Sequence, residues 1–222
     1  MNNLLFGFLK KLSFMSILCV VITGCSSILP SATPASTVYD IGLPKSLSVV
    51  PEDARQNFSS RDVIVIPDAL VDGAENGLGI VYRYTNVLNF EPRHYTNARW
   101  AQHPAELLRF RMLQHLGIRY PVVLNPDFVS ANSWVLRLTL EEFAHHVSSD
   151  INSSGVVQIR VTLGQGNRFV AQKTFRAEVD ATTVNVQGGV EAIARATDNV
   201  LNQIAEWSHG YIQAQYISVG HD

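Results

Sequence analysis

The sequence predicts an α+β fold: a single domain in which a mostly antiparallel β-sheet is packed by two amphipathic helices. Apolar and polar residues alternate through three consecutive stretches between positions 134 and 180, which indicates a meander of three strands. Apolar residues at helical spacing follow from about Gly188 to Ser208, and a shorter helix is predicted from Pro104. Each element has one apolar side, so the helices and the sheet bury those sides against each other.

The chain begins with the layout of a secretory signal. Lys10 and Lys11 precede an apolar run over residues 12–22, which is too short to cross a bilayer because a span takes about 20 apolar residues. Small residues then lead directly to Cys25, which resembles a bacterial lipoprotein box, where the cysteine becomes the acylated first residue. We expect residues 1–24 to be removed and Cys25 to be the lipid attachment site. An uncleaved membrane helix is the alternative, and the two lysines and the prolines after Cys25 disfavour it.

The segment after Cys25 predicts where the domain works. Residues 25–37 are rich in Ser, Thr, Ala and Pro and are expected to form a tether, whose residues after the cysteine reach at most about 40 Å. Ser26 is not the aspartate that commonly retains lipoproteins at the inner membrane, so we expect an outer-membrane anchor with the domain in the periplasm. The folded domain is predicted for residues 38–210, followed by a polar tail over 211–222.

Composition narrows the class of function. Removal of 24 residues, among them two lysines and no acid, leaves 198 of the 222 residues and changes the net charge from −2 to −4. That weak acidity gives no electrostatic footprint for nucleic acid. The remaining length is enough for one domain with a proper core. Of the two cysteines, Cys19 leaves with the signal and Cys25 is acylated, so no disulfide is expected.

Strand signals precede the first helix. Compact or alternating apolar runs predict strands at Val38–Leu43, Val63–Ile66 and Ile80–Tyr84, and Val87–Phe90 is expected to pair back onto the last of them. Glycines at positions 73, 77 and 79 indicate the turns between these strands.

The first helix is predicted from the residues at its ends. Pro104 suits the first helical position, where its missing N–H costs nothing, and Glu106 in the first turn favours the helix dipole. Gly117 is the expected stop. The apolar stripe between these ends consists of Leu107, Leu108, Leu113 and Leu116.

The meander contains a predicted irregularity. Apolar residues alternate from Trp134 to Leu140, but the phase then slips to Phe143, so a β-bulge is expected near positions 141–142. A tight turn at Gly164–Asn167 joins the second strand to the third. On the third strand, one face is predicted to carry Phe169, Ala171, Phe175, Ala177 and Val179.

The chain contains no dinucleotide-binding glycine motif, P-loop, G-x-S-x-G, H-E-x-x-H or S-x-x-K motif. We therefore expect no enzymatic activity, no metal and no cofactor. His145 and His146 are neighbours on a predicted strand and point to opposite faces, so they cannot chelate one ion together, and the histidines are expected at the surface. Glu141 and Glu142 are the obvious paired carboxylates, but no facing cleft is predicted for them. A solvated bulge is the better interpretation.

Tyr95, Arg99 and Trp100 are the candidate partner-contact residues. They lie in an aromatic and basic stretch that is predicted as a loop between a strand and a helix. Trp, Tyr and Arg dominate interface hot spots, which is the case for a contact surface. A structural role is favoured instead, with Trp100 buried under the first helix and Arg99 paired at the surface.

Several of these segments, taken in order, mark a family. Tyr39–Gly42 forms a strand soon after the lipidated cysteine, Ile80–Arg83 and then Tyr95–Pro104 supply a central pattern, and Leu136–Phe143 supplies a later strand before the amphipathic helix. This order and spacing resemble the ABC-type transport auxiliary lipoproteins over nearly the whole mature chain.

The resemblance implies a non-enzymatic component of a transport system. In such systems an inner-membrane ATPase or permease is coupled to a protein of the mammalian-cell-entry type, which forms a periplasmic tunnel for phospholipids or other hydrophobic molecules. The resemblance implies that the lipoprotein sits at the outer-membrane end and docks this tunnel protein, with a homo-oligomeric ring as one form in which it does so.

Two alternatives from other classes stay open. A lipoprotein that binds an amphiphile would need an apolar cavity between the sheet and the helices. A periplasmic enzyme with a dispersed site would need a pocket that gathers His145 or His146 with Glu141 or Glu142.

Overall fold

The computed structural model describes residues 35–42, 63–71, 73–86, 91–117, 120, 122–123 and 130–219, with the side chains of 122–123 and 215–219 excepted. The chain divides into two units, Met1–Ala35 and Ser36–Asp222, and every described strand and helix belongs to the second. Cys25, most of the predicted tether and the strand predicted at Val87–Phe90 lie outside the described residues.

The described elements are nine strands and two long helices. In chain order they are β1 (Thr37–Tyr39), β2 (Ile64–Val65), β3 (Leu70–Val71), β4 (Gly79–Tyr84), β5 (Arg93–Trp100), α1 (Pro104–Leu116), β6 (Val122–Val123), β7 (Trp134–Val147), β8 (Ser153–Gln165), β9 (Arg168–Asp180) and α2 (Val186–Val219).

All nine strands join one mixed sheet, and β7 is its central strand. On one side β7 pairs antiparallel with β8, which pairs antiparallel with β9. On the other side β2, β3 and β4 lie parallel to β7 at successive heights along it. Beyond β4 the sheet continues through antiparallel β5 to parallel β1, and β6 extends it beside β2. The α+β class and the mostly antiparallel meander are confirmed.

The predicted bulge is present in β7. The pairing of β7 with β8 shifts between Leu140 and Glu142, where the sequence changes its apolar phase. Because of the shift, Leu140 and Phe143 both reach the same core although they are three residues apart, and both are fully buried. An extra residue in the strand thus reconciles the sequence pattern with one continuous apolar face.

A second irregularity, which the sequence analysis missed, corrects the prediction for Phe169. The pairing of β8 with β9 shifts between Leu163 and Gly164, so that Ala171 lies opposite Leu163 while Phe169 lies opposite Gly164. Phe169 is therefore on the other side of the sheet from Ala171, and 65% of it is exposed.

The first helix has the predicted ends. α1 begins at Pro104 and ends before Gly117, whose N–H donates to the Leu113 carbonyl at 2.8 Å. Arg111 of α1 is buried and forms a two-pronged ion pair with Asp198 of α2, with Nε–Oδ1 at 2.8 Å and Nη2–Oδ2 at 2.9 Å. A third Arg111 nitrogen donates to the Gly42 carbonyl.

The last helix is longer than predicted, and residues 211–219 of the expected polar tail are part of it. α2 runs through Val219, past the boundary expected at Ser208. The apolar stripe continues beyond that boundary, because Ile212 is fully buried. At the other end Asn185 caps the helix, its side-chain oxygen accepting from the Gly188 N–H at 2.9 Å.

Helix α2 packs against β7, β8 and β9 and also contacts α1, so both helices lie on one face of the sheet. Two glycines allow the closest approach. A Cβ built on Gly155 of β8 would lie 2.2 Å from the Ile193 backbone nitrogen, and one on Gly189 of α2 would lie 2.5 Å from Cγ of His145. The backbones of β8 and α2 therefore meet directly at Gly155, and the backbone of α2 meets the His145 ring at Gly189, with no room for a methyl group at either glycine.

We predict that Gly155→Ala lowers the free energy of unfolding by about 3 kcal/mol, because the added methyl group meets backbone that cannot move aside cheaply. The matched control is Gly210→Ala in α2, where a Cβ has no heavy atom within 4 Å. That change should raise stability by roughly 0.5–1 kcal/mol through helix propensity. Urea unfolding of both variants measures the difference, and equal effects would contradict the packing described.

Candidate docking surface

The face of the sheet opposite the helices carries polar side chains from several adjacent strands. We call it the open face. Its residues alternate with the core residues on the same strands, as side chains on a strand must. The open face comprises Arg83 of β4, Glu141, Glu142 and His146 of β7, Gln158 and Arg160 of β8, and Arg176 and Glu178 of β9.

Arg83 joins two carboxylates at one side of the open face. Its Nε donates to Oε1 of Glu142 at 2.8 Å, and its Nη2 donates to Oε1 of Glu75 at 2.9 Å. Glu75 is only 1% exposed, and this burial raises its pKa although Arg83 opposes the shift. The guanidinium thus holds the turn before β4 against the sheet.

Glu142 also contacts His146, four residues further along β7. His146 Nε2 lies 2.9 Å from Glu142 Oε1. Burial alone would raise the pKa of Glu142, but the hydrogen bond from His146 and the charge of Arg83 outweigh it, so that the pKa is lowered. Glu142 is therefore held in its ionised form by Arg83 and His146, which both contact its Oε1 atom.

The neighbouring carboxylate Glu141 has different partners. Arg160 Nη2 lies 2.6 Å from Glu141 Oε1, and the Gln158 side-chain amide donates to Oε2 at 2.9 Å. The bulge therefore sends Glu141 and Glu142 to separate partners rather than bringing them together. They do not form the facing pair that carboxylate acid–base chemistry needs.

On the helix side of the sheet, Tyr95 is half-buried and its hydroxyl lies 2.7 Å from His145 Nδ1. The Tyr95 ring packs on Tyr82 with centroids 4.7 Å apart. His145 is completely buried, which corrects the expectation of a surface histidine, and its Nε2 has no hydrogen-bond partner among the described residues. Burial lowers the pKa of His145 to about 4 and raises that of Tyr95 to about 12. Both groups are neutral at pH 7.

The three candidate contact residues are thus separated by the fold. The segment is strand β5 and not the predicted loop. Trp100 is fully buried, with its ring 5.2 Å from that of Phe143, which confirms the favoured structural role and excludes Trp100 as a contact residue. Arg99 is exposed between the buried Ala98 and Trp100, so it leaves the sheet on the side of the open face.

The environment of His145 and the role of Glu75 were not predicted from the sequence. Both depend on the parallel pairing of β4 with β7, in which Tyr82 lies opposite His145 and Arg83 opposite His146. Residues about sixty positions apart meet there, and strand periodicity contains no signal for such a pairing. The tyrosines of β4 can be recognised in the sequence, but the strand that pairs with β4 cannot.

In the described part of the chain, no cluster of three or more His, Cys, Asp or Glu is arranged to hold a metal ion. The described helices include none that is both long and apolar enough to cross a membrane. A cleft at the β8–β9 turn is lined by Ser130, Ala131, Gln165, Gly166, Asn167 and Arg168. It lies at the edge of the sheet and is not an apolar cavity between sheet and helices.

We predict that His145 makes the protein less stable as the pH falls from 6.5 towards 4. In this range His145 is protonated in the unfolded chain but neutral in the folded protein. The free energy of unfolding therefore decreases as the pH falls, by roughly 3 kcal/mol at most. Urea unfolding at pH 7 and at pH 4.5 measures the change. His145→Phe should remove this part of the pH dependence, whereas His103→Gln, at an exposed position, should keep it. An unaltered dependence in His145→Phe would refute the assignment.

Comparison with solved structures shows the same fold elsewhere. Protein XCC0632 from Xanthomonas campestris has a TM-score of 0.64 and 16% sequence identity, covering 81% of this chain and 99% of its own. A second structure, of an uncharacterized protein, has a TM-score of 0.57 and 17% identity, covering 78% of this chain and 97% of its own. At such identities the similarity concerns the fold alone. Comparison with curated proteins found no match.

Comparison with protein families gives the more specific result. The family described as "ABC-type transport auxiliary lipoprotein component" matches residues 47–205, which is well over half of the 222-residue chain. The match spans the described strands from β2 to β9 and most of α2. The chain therefore belongs to the ABC-type transport auxiliary lipoprotein family.

Proposed function

We propose that this protein is a non-enzymatic lipoprotein, anchored in the outer membrane through Cys25, whose domain docks a periplasmic tunnel protein of the mammalian-cell-entry type. The observation that supports the proposal is the division of the sheet into a face covered by the two helices and an opposite face that no described helix covers, which carries partly exposed charged side chains. Membership of an auxiliary transport family supports a role beside a transporter rather than a reaction of its own.

The open face suits a soluble protein partner. Its charges are paired within the domain, as in the contacts of Arg83 with Glu142 and of Arg160 with Glu141, so their directions are fixed before a partner arrives. Fixed charges give specificity and orientation at an interface more than raw affinity. Arg99 extends this face onto β5 and forms no hydrogen bond or ion pair within the described residues, which leaves its guanidinium available to a partner.

The enzyme alternative receives little support from the contacts. Glu142 and His146 do meet, but Arg83 occupies the same carboxylate oxygen, and Glu141 is bound elsewhere. A general base needs a free lone pair aimed at a substrate. In Glu142 that oxygen is engaged by two donors, which is the arrangement of a structural ion-pair network.

The oligomeric form is part of the proposal. The family resemblance extends it to several copies arranged as a ring around the tunnel protein, so that identical open faces or edges would repeat around one axis. Chemical crosslinking of the purified, acylated protein counts the copies. A monomer under crosslinking at high protein concentration would remove the ring but not the docking role.

We predict that Cys25→Ser abolishes acylation and releases the protein from the membrane. The sulfur is the atom that takes the lipid, and more than one acyl chain is needed for stable anchoring. Membrane fractionation and intact mass of the purified protein measure the result. Retention of Cys25→Ser in the membrane fraction, or a wild-type mass without added lipid, would contradict the anchor.

We predict that Arg99→Glu lowers the recovery of a co-expressed tunnel protein in detergent co-purification by roughly tenfold, the equivalent of about 1.4 kcal/mol. Arg195→Glu is the matched control: it makes the same charge change on α2, where Arg195 donates to the Asp180 carbonyl at 2.6 Å. Circular dichroism should show both variants folded. Equal recovery with both variants would move the docking site away from the open face, and no recovery with the wild type would end the docking proposal.

A further inference from the structure

Several strand ends and turns lie together at one end of the sheet. The C-terminal ends of β4 and β7 lie side by side there, since the Thr85 N–H donates to the Val147 carbonyl at 3.0 Å. Because β5 and β8 run antiparallel to these strands, their first residues, Arg93 and Ser153, lie at the same end. The last residue of β9 lies there too, as its pairing of Asp180 with Ser154 requires. We call this the tether-side end.

The direction of β1 gives this end its name. β1 runs parallel to β5, with Thr37 opposite Ala98 and Tyr39 opposite Trp100. The N-terminal end of β1 therefore faces in the direction of Arg93, which is the direction of the tether-side end. The chain between Cys25 and Thr37 reaches at most about 40 Å. A lipid on Cys25, as proposed above, would therefore hold the start of β1 within about this distance of the bilayer.

The tether-side end exposes apolar and aromatic side chains. Ile151, at the tip of the turn between β7 and β8, is 83% exposed, and Tyr84, the last residue of β4, is 40% exposed. Arg93 lies over the Tyr84 ring with its guanidinium carbon 5.4 Å from the ring centroid. Tyrosine and arginine beside an exposed apolar side chain are typical of the membrane–water interface.

The turn that carries Ile151 is held in shape by its own hydrogen bonds. The Ser148 N–H donates to the Asn152 carbonyl at 3.0 Å, and the Asn152 N–H donates to the Ser149 hydroxyl at 3.1 Å. Ile151 is thus presented outward by an ordered turn. Its exposure leaves the apolar side chain in water, a cost that burial in an apolar environment would remove.

We propose that the tether-side end is a bilayer-contacting surface, with Ile151 and Tyr84 at the depth of the lipid headgroups and upper acyl chains. The proposal rests on the acylation of Cys25 put forward above and adds the orientation of the domain on the membrane. Asp150 and Glu91 lie at the same end, so anionic lipid offers no net attraction. The contact is apolar and aromatic, and its ligand is a zwitterionic lipid surface.

This orientation is consistent with the docking role. Strand β8 is 13 residues long, so about 40 Å separate the tether-side end from the β8–β9 turn at the opposite end of the sheet. With Ile151 on the bilayer, the open face stands roughly along the membrane normal and the far turn points into the periplasm.

The test uses the acylated full-length mature protein with one introduced cysteine, because the acylated Cys25 leaves no thiol in the chain. Ile151→Cys and, as the matched control at the opposite turn, Asn167→Cys are labelled with an environment-sensitive fluorophore; both positions are exposed. The proteins are bound to phosphatidylcholine vesicles that contain a lipid with a quencher below the headgroup. We expect quenching at position 151 to be at least roughly threefold stronger than at position 167.

A salt titration and a second variant distinguish an apolar membrane contact from other causes of the quenching. Raising the salt concentration to about 1 M should leave the quenching at position 151 unchanged, because an apolar contact is not screened. Tyr84→Asp in the labelled Ile151→Cys protein should reduce it. Equal quenching at positions 151 and 167 in vesicle-bound protein overturns the proposal and leaves the anchor intact. Protein that fails to float with the vesicles overturns the anchor and this proposal together, whereas loss of tunnel-protein recovery alone affects neither.

Discussion

The structure depends on the hydrogen-bonding requirement of β7, a fourteen-residue strand with neighbours on both sides along most of its length. Each buried N–H and C=O of such a strand needs a partner, and a long meander strand supplies them on only one side. The three short parallel strands β2, β3 and β4 share the other side between them. The positions of β2, β3 and β4 are therefore set by a strand that begins fifty residues or more after β4 ends.

The central position of β7 also separates apolar from polar side chains. β7 is buried on its helix side and largely polar on the other side, so the bulge must keep the residues before and after it on their proper sides of the sheet. Leu140 and Phe143 stay in the core while Glu141 and Glu142 both remain on or near the open face with separate partners. The same irregularity that completes the core thus supplies two fixed carboxylates to the surface.

The elements predicted correctly from the sequence are those whose signals are local. The three long strands, the bulge after Leu140 and both ends of α1 follow from periodicity, proline and glycine within a short window. The strand nature of β5, the two-residue strands β3 and β6 and the exposure of Phe169 do not, because they depend on registers between distant segments. The same holds for the site: Arg99 was recognisable as a candidate by residue type, whereas the burial of His145 against Tyr95 needed the β4–β7 pairing.

Arg111 has a mechanical consequence. Its guanidinium joins the carbonyl of Gly42, three residues after β1, to Asp198 in the middle of α2. With Cys25 acylated as proposed, a pull on the lipid would enter the described domain at β1, and a pull along the axis of that strand would strain its hydrogen bonds to β5 together instead of one after another. Beyond β1 the load would meet the Arg111 junction, which would pass it to both helices. The three-residue strand β1 is thereby reinforced by an arginine that is only 4% exposed.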